Sequence, residues 1–213
     1  MAAAGGRPHR LERPTAVKPS SLALFGTSAD PPTEGHRALL EGLGERYGQV
    51  AAWASDNPFK QHGAPLELRA QLLGTLIASL GNPEISLEQD LSSPKALVTL
   101  QRAQARWPKH QLVFVVGSDL ARQIPHWYRA GELLQACDLA LVPRRGYPLE
   151  PEALADLRKL GRQVEVLSFP VPGTASSAIR QQPSPEQVPE ALWPELIRHN
   201  LYGLGQPASH TSH

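Results

Sequence analysis

Between Gly26 and His36 the chain reads Gly-Thr-Ser-Ala-Asp-Pro-Pro-Thr-Glu-Gly-His, a set of residue types suited to handling phosphate. Gly26 permits close backbone approach, Thr27, Ser28 and Thr33 add hydroxyls, and Pro31-Pro32 stiffen the turn. Gly35-His36 then opens a helix, whose unpaired N–H groups and partial positive charge attract anions. Near the other end, Thr174-Ala175-Ser176-Ser177-Ala178-Ile179-Arg180 sets two hydroxyls at a helix start ahead of a guanidinium, whose planar fork suits phosphate oxygens. The first loop alone supports no more than binding or transfer of a nucleotide.

These groups need a scaffold, and the order of elements along the chain supplies one. Short apolar runs alternate with longer helical patterns, as in βαβ units that build a parallel sheet. Strands are expected over Ser21 to Gly26, Gln49 to Ala54, Glu84 to Leu87, Gln111 to Gly117, Asp138 to Val142 and Gln163 to Leu167. Helices are expected over Thr33 to Tyr47, Leu66 to Leu80, Ser93 to about Trp107, and Pro151 to Leu160. Ser93 before Pro94 fits a capped helix start. Three short helices follow, near Ser177, near Glu186 and over Pro194 to Leu201. The fold class is therefore α/β, a Rossmann-like parallel sheet with helices on both faces. In such a sheet ligands bind beyond the carboxyl ends of the strands.

The chain has 213 residues, enough for one domain, expected over residues 19 to 203. Residues 1 to 18 read as a flexible basic extension and 204 to 213 as a polar tail. With 21 Lys+Arg against 20 Asp+Glu the net charge is +1, which argues against a nucleic-acid surface. Cys137 is the lone cysteine, so a disulfide framework and a multi-cysteine metal site are ruled out, and a cytoplasmic location fits. Apolar runs are far shorter than the roughly 20 residues that span a bilayer, so no membrane partner is expected. The segment Gly42 to Gly48 imitates a dinucleotide fingerprint but ends a helix instead of following a strand, and no Walker-type element occurs.

Gly26 to His36 resembles the glycine-rich signature of the adenylyl- and cytidylyltransferase superfamily, its core here being Thr33-Glu34-Gly35-His36. Ser176 to Arg180 resembles the second signature of the same superfamily. Asn57-Pro58-Phe59-Lys60, Arg69, Val115 to Leu120, Trp127, Arg144-Arg145-Gly146 and the Leu192 to Tyr202 stretch resemble the bacterial nicotinate-nucleotide adenylyltransferases in particular. The resemblance covers nearly all of residues 21 to 202. It implies in-line attack by the phosphate of nicotinate mononucleotide on the α-phosphorus of ATP, giving deamido-NAD and pyrophosphate, with Mg²⁺ carried in by ATP. Such chemistry asks for positioning and charge stabilisation.

On this resemblance His36, Lys60 and Arg180 carry the reaction. Gly26, Thr27, Ser28, Thr33, Gly35, Gly117, Asp119, Ser176 and Ser177 join His36 and Arg180 around ATP. Lys60, Trp127 and Arg145 face the acceptor, with Asp119 as an alternative metal ligand. Each has a structural alternative: His36 and Asp119 as caps, Lys60 and the Arg144-Arg145 pair as solvated charge, Trp127 as core, Arg180 as the partner of a carboxylate. The sequence departs from the family at Thr33, where many members carry His, and at Ala175 and Ala178, which replace Ile and Thr. Nicotinamide mononucleotide or phosphopantetheine as acceptor, or a homologue that binds nucleotide without turnover, remain rival readings. The sequence leaves the oligomeric state open, a homo-oligomer included.

Overall fold

Leu22 and Leu24 point to one side of a strand and Ala23 and Phe25 to the other, and the two pairs enter two separate hydrophobic cores. A strand buried on both faces needs helices on both sides. The computed structural model, which describes residues 18–203 except 57–59, 145, 170, 172–175 and 183–184, has that arrangement. Its strands are β1 (Lys18–Thr27), β2 (Tyr47–Ala54), β3 (Ile85–Leu87), β4 (Gln111–Gly117), β5 (Asp138–Val142) and β6 (Val164–Val166). All pair in parallel, in the order β3-β2-β1-β4-β5-β6.

The helices are α1 (Glu34–Arg46), α2 (Leu66–Ser79), α3 (Ala96–Arg106), α4 (Ala130–Ala136), α5 (Pro151–Leu160), α6 (Ser176–Gln181) and α7 (Trp193–Arg198). Leu39, Leu40 and Leu43 of α1 and Leu72, Leu73 and Leu76 of α2 line one core. Ile179 of α6 and Leu196 of α7 come back to that same face. Leu97 and Leu100 of α3, Leu133 and Leu134 of α4 and Leu157 of α5 fill the other. The sheet is thus doubly wound, as the alternation of runs predicts.

Two local expectations need correction. Ser93 does not start the third helix: its Oγ accepts the Lys95 N–H at 3.2 Å, and the helix begins at Ala96 with Lys95 as N-cap. The serine's short-range bond closes a turn before the helix and leaves Pro94 outside it. The expected elements also leave the connection from β4 to β5 empty, although parallel neighbours require a crossover. Two turns of α4 fill it, too short a run for helical periodicity to stand out, with Arg129 at its N-cap in the left-handed region (φ 54°).

The imitation fingerprint proves to be packing. A Cβ on Gly42 would lie 2.7 Å from the Phe169 ring, and one on Gly44 2.8 Å from Asn82, so these glycines let α1 sit close to its neighbours. The expected extension and tail fall almost wholly outside the described residues.

Candidate active site

The strand order reverses direction between β1 and β4, and the carboxyl ends of both strands open onto one edge of the sheet. This is the switch point at which open α/β sheets bind ligands. The loop after β1 and the start of α1 fill it.

His36 stands in the first turn of α1, its ring partly buried. Its Nδ1 accepts the backbone N–H of Thr33 at 3.1 Å and lies 2.9 Å from Thr33 Oγ1. A backbone N–H can only donate, so Nδ1 is assigned as the unprotonated nitrogen. The proton then sits on Nε2, 2.8 Å from Thr27 Oγ1, to which it donates. Burial, assisted by the nearby Arg144 charge, lowers the ring's pKa to about 4. His36 is therefore a neutral donor near pH 7, aimed through Thr27 toward the loop. Thr33 is wholly buried as the helix N-cap, so it holds His36 in place and does not face the opening.

Gly26, at the end of β1, lies against a large side chain. What comes close to it is Trp53, whose indole would lie 2.6 Å from a Cβ there. At the end of β4, a Cβ on Gly117 would lie 2.3 Å from Asp119 Oδ1 and 2.8 Å from Arg144 Cδ. Both side chains thus fold over that glycine. Arg144 Nη1 pairs with Asp119 Oδ2 at 3.0 Å, while Asp119 Oδ1 is buried with no hydrogen-bond partner among the described residues. Ser118 Oγ accepts the Arg144 N–H at 2.9 Å and donates to the Tyr147 carbonyl at 2.7 Å, which fixes the segment after β5 against the end of β4.

Asp30 is the hub of the other half. It is wholly buried. Its Oδ2 accepts the Gly63 N–H at 2.7 Å and pairs with Arg180 Nη1 at 3.3 Å; its Oδ1 accepts the Ala64 N–H at 3.1 Å and the Tyr202 hydroxyl at 2.7 Å. Arg180 also donates to the Asp30 carbonyl at 2.6 Å, and Ser176 Oγ donates to the Pro31 carbonyl at 2.8 Å. The start of α6 is therefore docked directly on the first loop. Burial, with the hydrogen bond to Asp30, pushes the Tyr202 pKa well above its usual value and keeps the hydroxyl a donor. Arg69, 1% exposed, ties the same loop to the end of β2 through the Ser28 and Ser55 carbonyls, each at 2.8 Å.

The structure thus brings together Gly26, Thr27, Ser28, Thr33, Gly35 and His36 with Ser176 and Arg180 on one side, and Gly117 and Asp119 on the other. Ser177 and Lys60 are exposed. Trp127 is half-buried, packed edge-on to Phe114 with centroids 6.5 Å apart, so at least part of its ring serves the core. Arg145, Asn57 to Phe59, Thr174 and Ala175 lie outside the described residues. Asp30, Arg144 and Tyr202 lie in segments that carry the family resemblance, but the sequence gives none of them a role in the site. An acidic residue inside a loop meant for anions is the signal for Asp30, and an arginine on the leucine-rich face of α2 is the signal for the buried Arg69. A cavity of about 510 Å³ between Trp107, His110, Gln111 and Arg162 lies at the opposite end of β4 and contains none of these groups. Among the described residues no group of three or more His, Cys, Asp or Glu could hold a metal ion, and no helix is long and apolar enough to cross a membrane.

The cytidylyltransferase-like family matches residues 24–182. A Synechocystis sp. protein described as "Probable nicotinate-nucleotide adenylyltransferase" is 39% identical over 198 residues, 85% of this chain and 98% of that protein. One from Gloeobacter violaceus with the same description is 30% identical over 195 residues, 86% of this chain and 94% of its own length. Among solved structures, the Plasmodium falciparum nicotinic acid mononucleotide adenylyltransferase complexed with NaAD superposes with a TM-score of 0.71 at 17% identity, over 87% of this chain and 98% of that one, which speaks to the fold.

Proposed function

The chain belongs to the cytidylyltransferase-like family, as a homologue of its nicotinate-nucleotide adenylyltransferases, and from that premise we propose that it transfers the adenylyl group of ATP to nicotinate mononucleotide. The observation that carries the reading is the docking of Ser176 and Arg180 on the loop that also holds His36. Two phosphate-type motifs from opposite ends of the chain become one surface at the switch point.

In the proposed reaction a phosphate oxygen of the acceptor bonds to the α-phosphorus while the bond to the β-phosphate oxygen breaks. Pyrophosphate leaves with the electron pair, and deamido-NAD remains. His36 moves its Nε2–H from Thr27 Oγ1 to a phosphate oxygen, where charge grows as the bond breaks. Being neutral, it places a directed donor there and no competing cation. Arg180 and the hydroxyls of Ser176 and Ser177 hold the β- and γ-phosphates, with backbone N–H groups of the loop beside them. Lys60 and Arg145 serve the acceptor phosphate, and Trp127 offers the pyridine ring whatever face its core contact leaves open. Asp119 Oδ1, which has no hydrogen-bond partner among the described residues, would be the oxygen to meet the Mg²⁺ that ATP brings. That ion would neutralise phosphate charge.

The test is direct. Purified protein is given Mg-ATP with nicotinate mononucleotide, nicotinamide mononucleotide or phosphopantetheine in turn, and pyrophosphate is measured. Release is expected with nicotinate mononucleotide above the other two. Silence with all three overturns the enzymatic reading, and a preference for another acceptor overturns the substrate.

A further inference from the structure

Arg180 occupies two acceptors of Asp30 through Nη1, the carbonyl at 2.6 Å and carboxylate Oδ2 at 3.3 Å. Both contacts use Nη1, so a triphosphate that draws on that nitrogen, and not only on Nη2 and Nε, competes with Asp30 for it. The cost depends on what Asp30 has left when Arg180 lets go. Among the described residues three neutral donors remain within hydrogen-bond distance, the Gly63 and Ala64 amides and the Tyr202 hydroxyl, with the His62 ring farther off, its Nδ1 3.6 Å from Oδ2. A buried carboxylate that accepts two or three hydrogen bonds is stable as an anion. Of these side chains Tyr202 is the one within hydrogen-bond distance, and it reaches Asp30 from a turn in which Asn200 and Tyr202 both have left-handed backbone, φ 46° and 55°. Non-glycine residues keep that conformation when the surroundings impose it.

We infer that Tyr202, acting through Asp30, is a positioning residue for Arg180: by sharing the carboxylate's charge it lets the guanidinium transfer from Asp30 to the phosphates of the nucleotide. Gly63 belongs to the same device. A Cβ there would lie 2.8 Å from Arg180 Cδ and 3.1 Å from Tyr202 Cε1, so the stem of Arg180 and the Tyr202 ring converge on it. The inference rests on the reading of Arg180 as a triphosphate ligand and does not depend on the acceptor.

The experiment is a double-mutant cycle read as affinity, without acceptor, for ATP and for inorganic tripolyphosphate, by equilibrium dialysis to millimolar concentration. Tyr202→Phe keeps the ring and loses the donor. In the wild-type background it weakens binding of both probes by about tenfold, the order expected for a lost hydrogen bond to a charged group. In an Arg180→Ala background it changes neither. Gly63→Ala follows the same pattern. An unchanged affinity in Tyr202→Phe, or an equal loss in both backgrounds, overturns the inference and leaves Tyr202 a structural residue. If Arg180→Ala binds as well as wild type, the role of Arg180 fails and the inference with it. Intact binding and coupling without pyrophosphate release from nicotinate mononucleotide would sink only the acceptor reading.

Discussion

His36 works as a neutral ring, and its protonation is tied to folding. The unfolded chain takes up this proton as the pH falls through about 6.5, the folded chain only near about 4. Stability from this group is therefore whole above the first value and is lost between the two, because the unfolded state binds the proton first. Wild type should be about 2 kcal/mol less stable at pH 5 than at pH 7 through this residue, read as a difference in urea midpoints. His36→Gln should flatten that slope and cut turnover by about 10²-fold or more, the usual effect of losing one transition-state donor. A slope unchanged by the substitution would contradict the assignment. The family resemblance already points to His36. Its protonation state was not legible, because it follows from the Thr33 N–H and from burial, both consequences of the folded turn.

At the scale of elements, the loop after β1 fits only because β1 and β2 lie close at their carboxyl ends. Gly26 faces the Trp53 indole, a rigid ring that has no easy way to withdraw. Gly26→Ala should cost about 1–3 kcal/mol, the usual penalty for overpacking, measurable as a lowered denaturation midpoint. The sheet and its long helices were legible, since Leu22 to Phe25 and Leu112 to Val116 are strands by composition and α1 and α2 carry helical leucine spacing. What escaped was local: α4 has only two turns, and Ser93 spends its hydroxyl on a turn ahead of the helix. The Asp30 hub escaped for another reason. An acidic residue in that loop marks Asp30 as unusual, yet not that residues 62, 63, 64, 180 and 202 converge on it, because that meeting exists only in three dimensions.

For the whole molecule, the last elements close the face that α1 and α2 begin. Leu192 and Leu196 are wholly buried there. Leu196→Ala should cost about 2–5 kcal/mol, as for other buried leucines, and denaturant unfolding would read it. An exposed-site value below about 0.5 kcal/mol would mean that α7 is not part of the core. The bond from Tyr202 to Asp30 joins residues 172 positions apart. Contacts of such separation form late, since a long stretch of chain must be ordered before they gain anything. During synthesis the loop after β1 leaves the ribosome long before Tyr202, and Asp30 waits for that partner. A chain cut just ahead of residue 202 keeps every strand of the sheet, yet its Asp30 has one donor fewer, so the loop after β1 depends on a residue that no strand contributes.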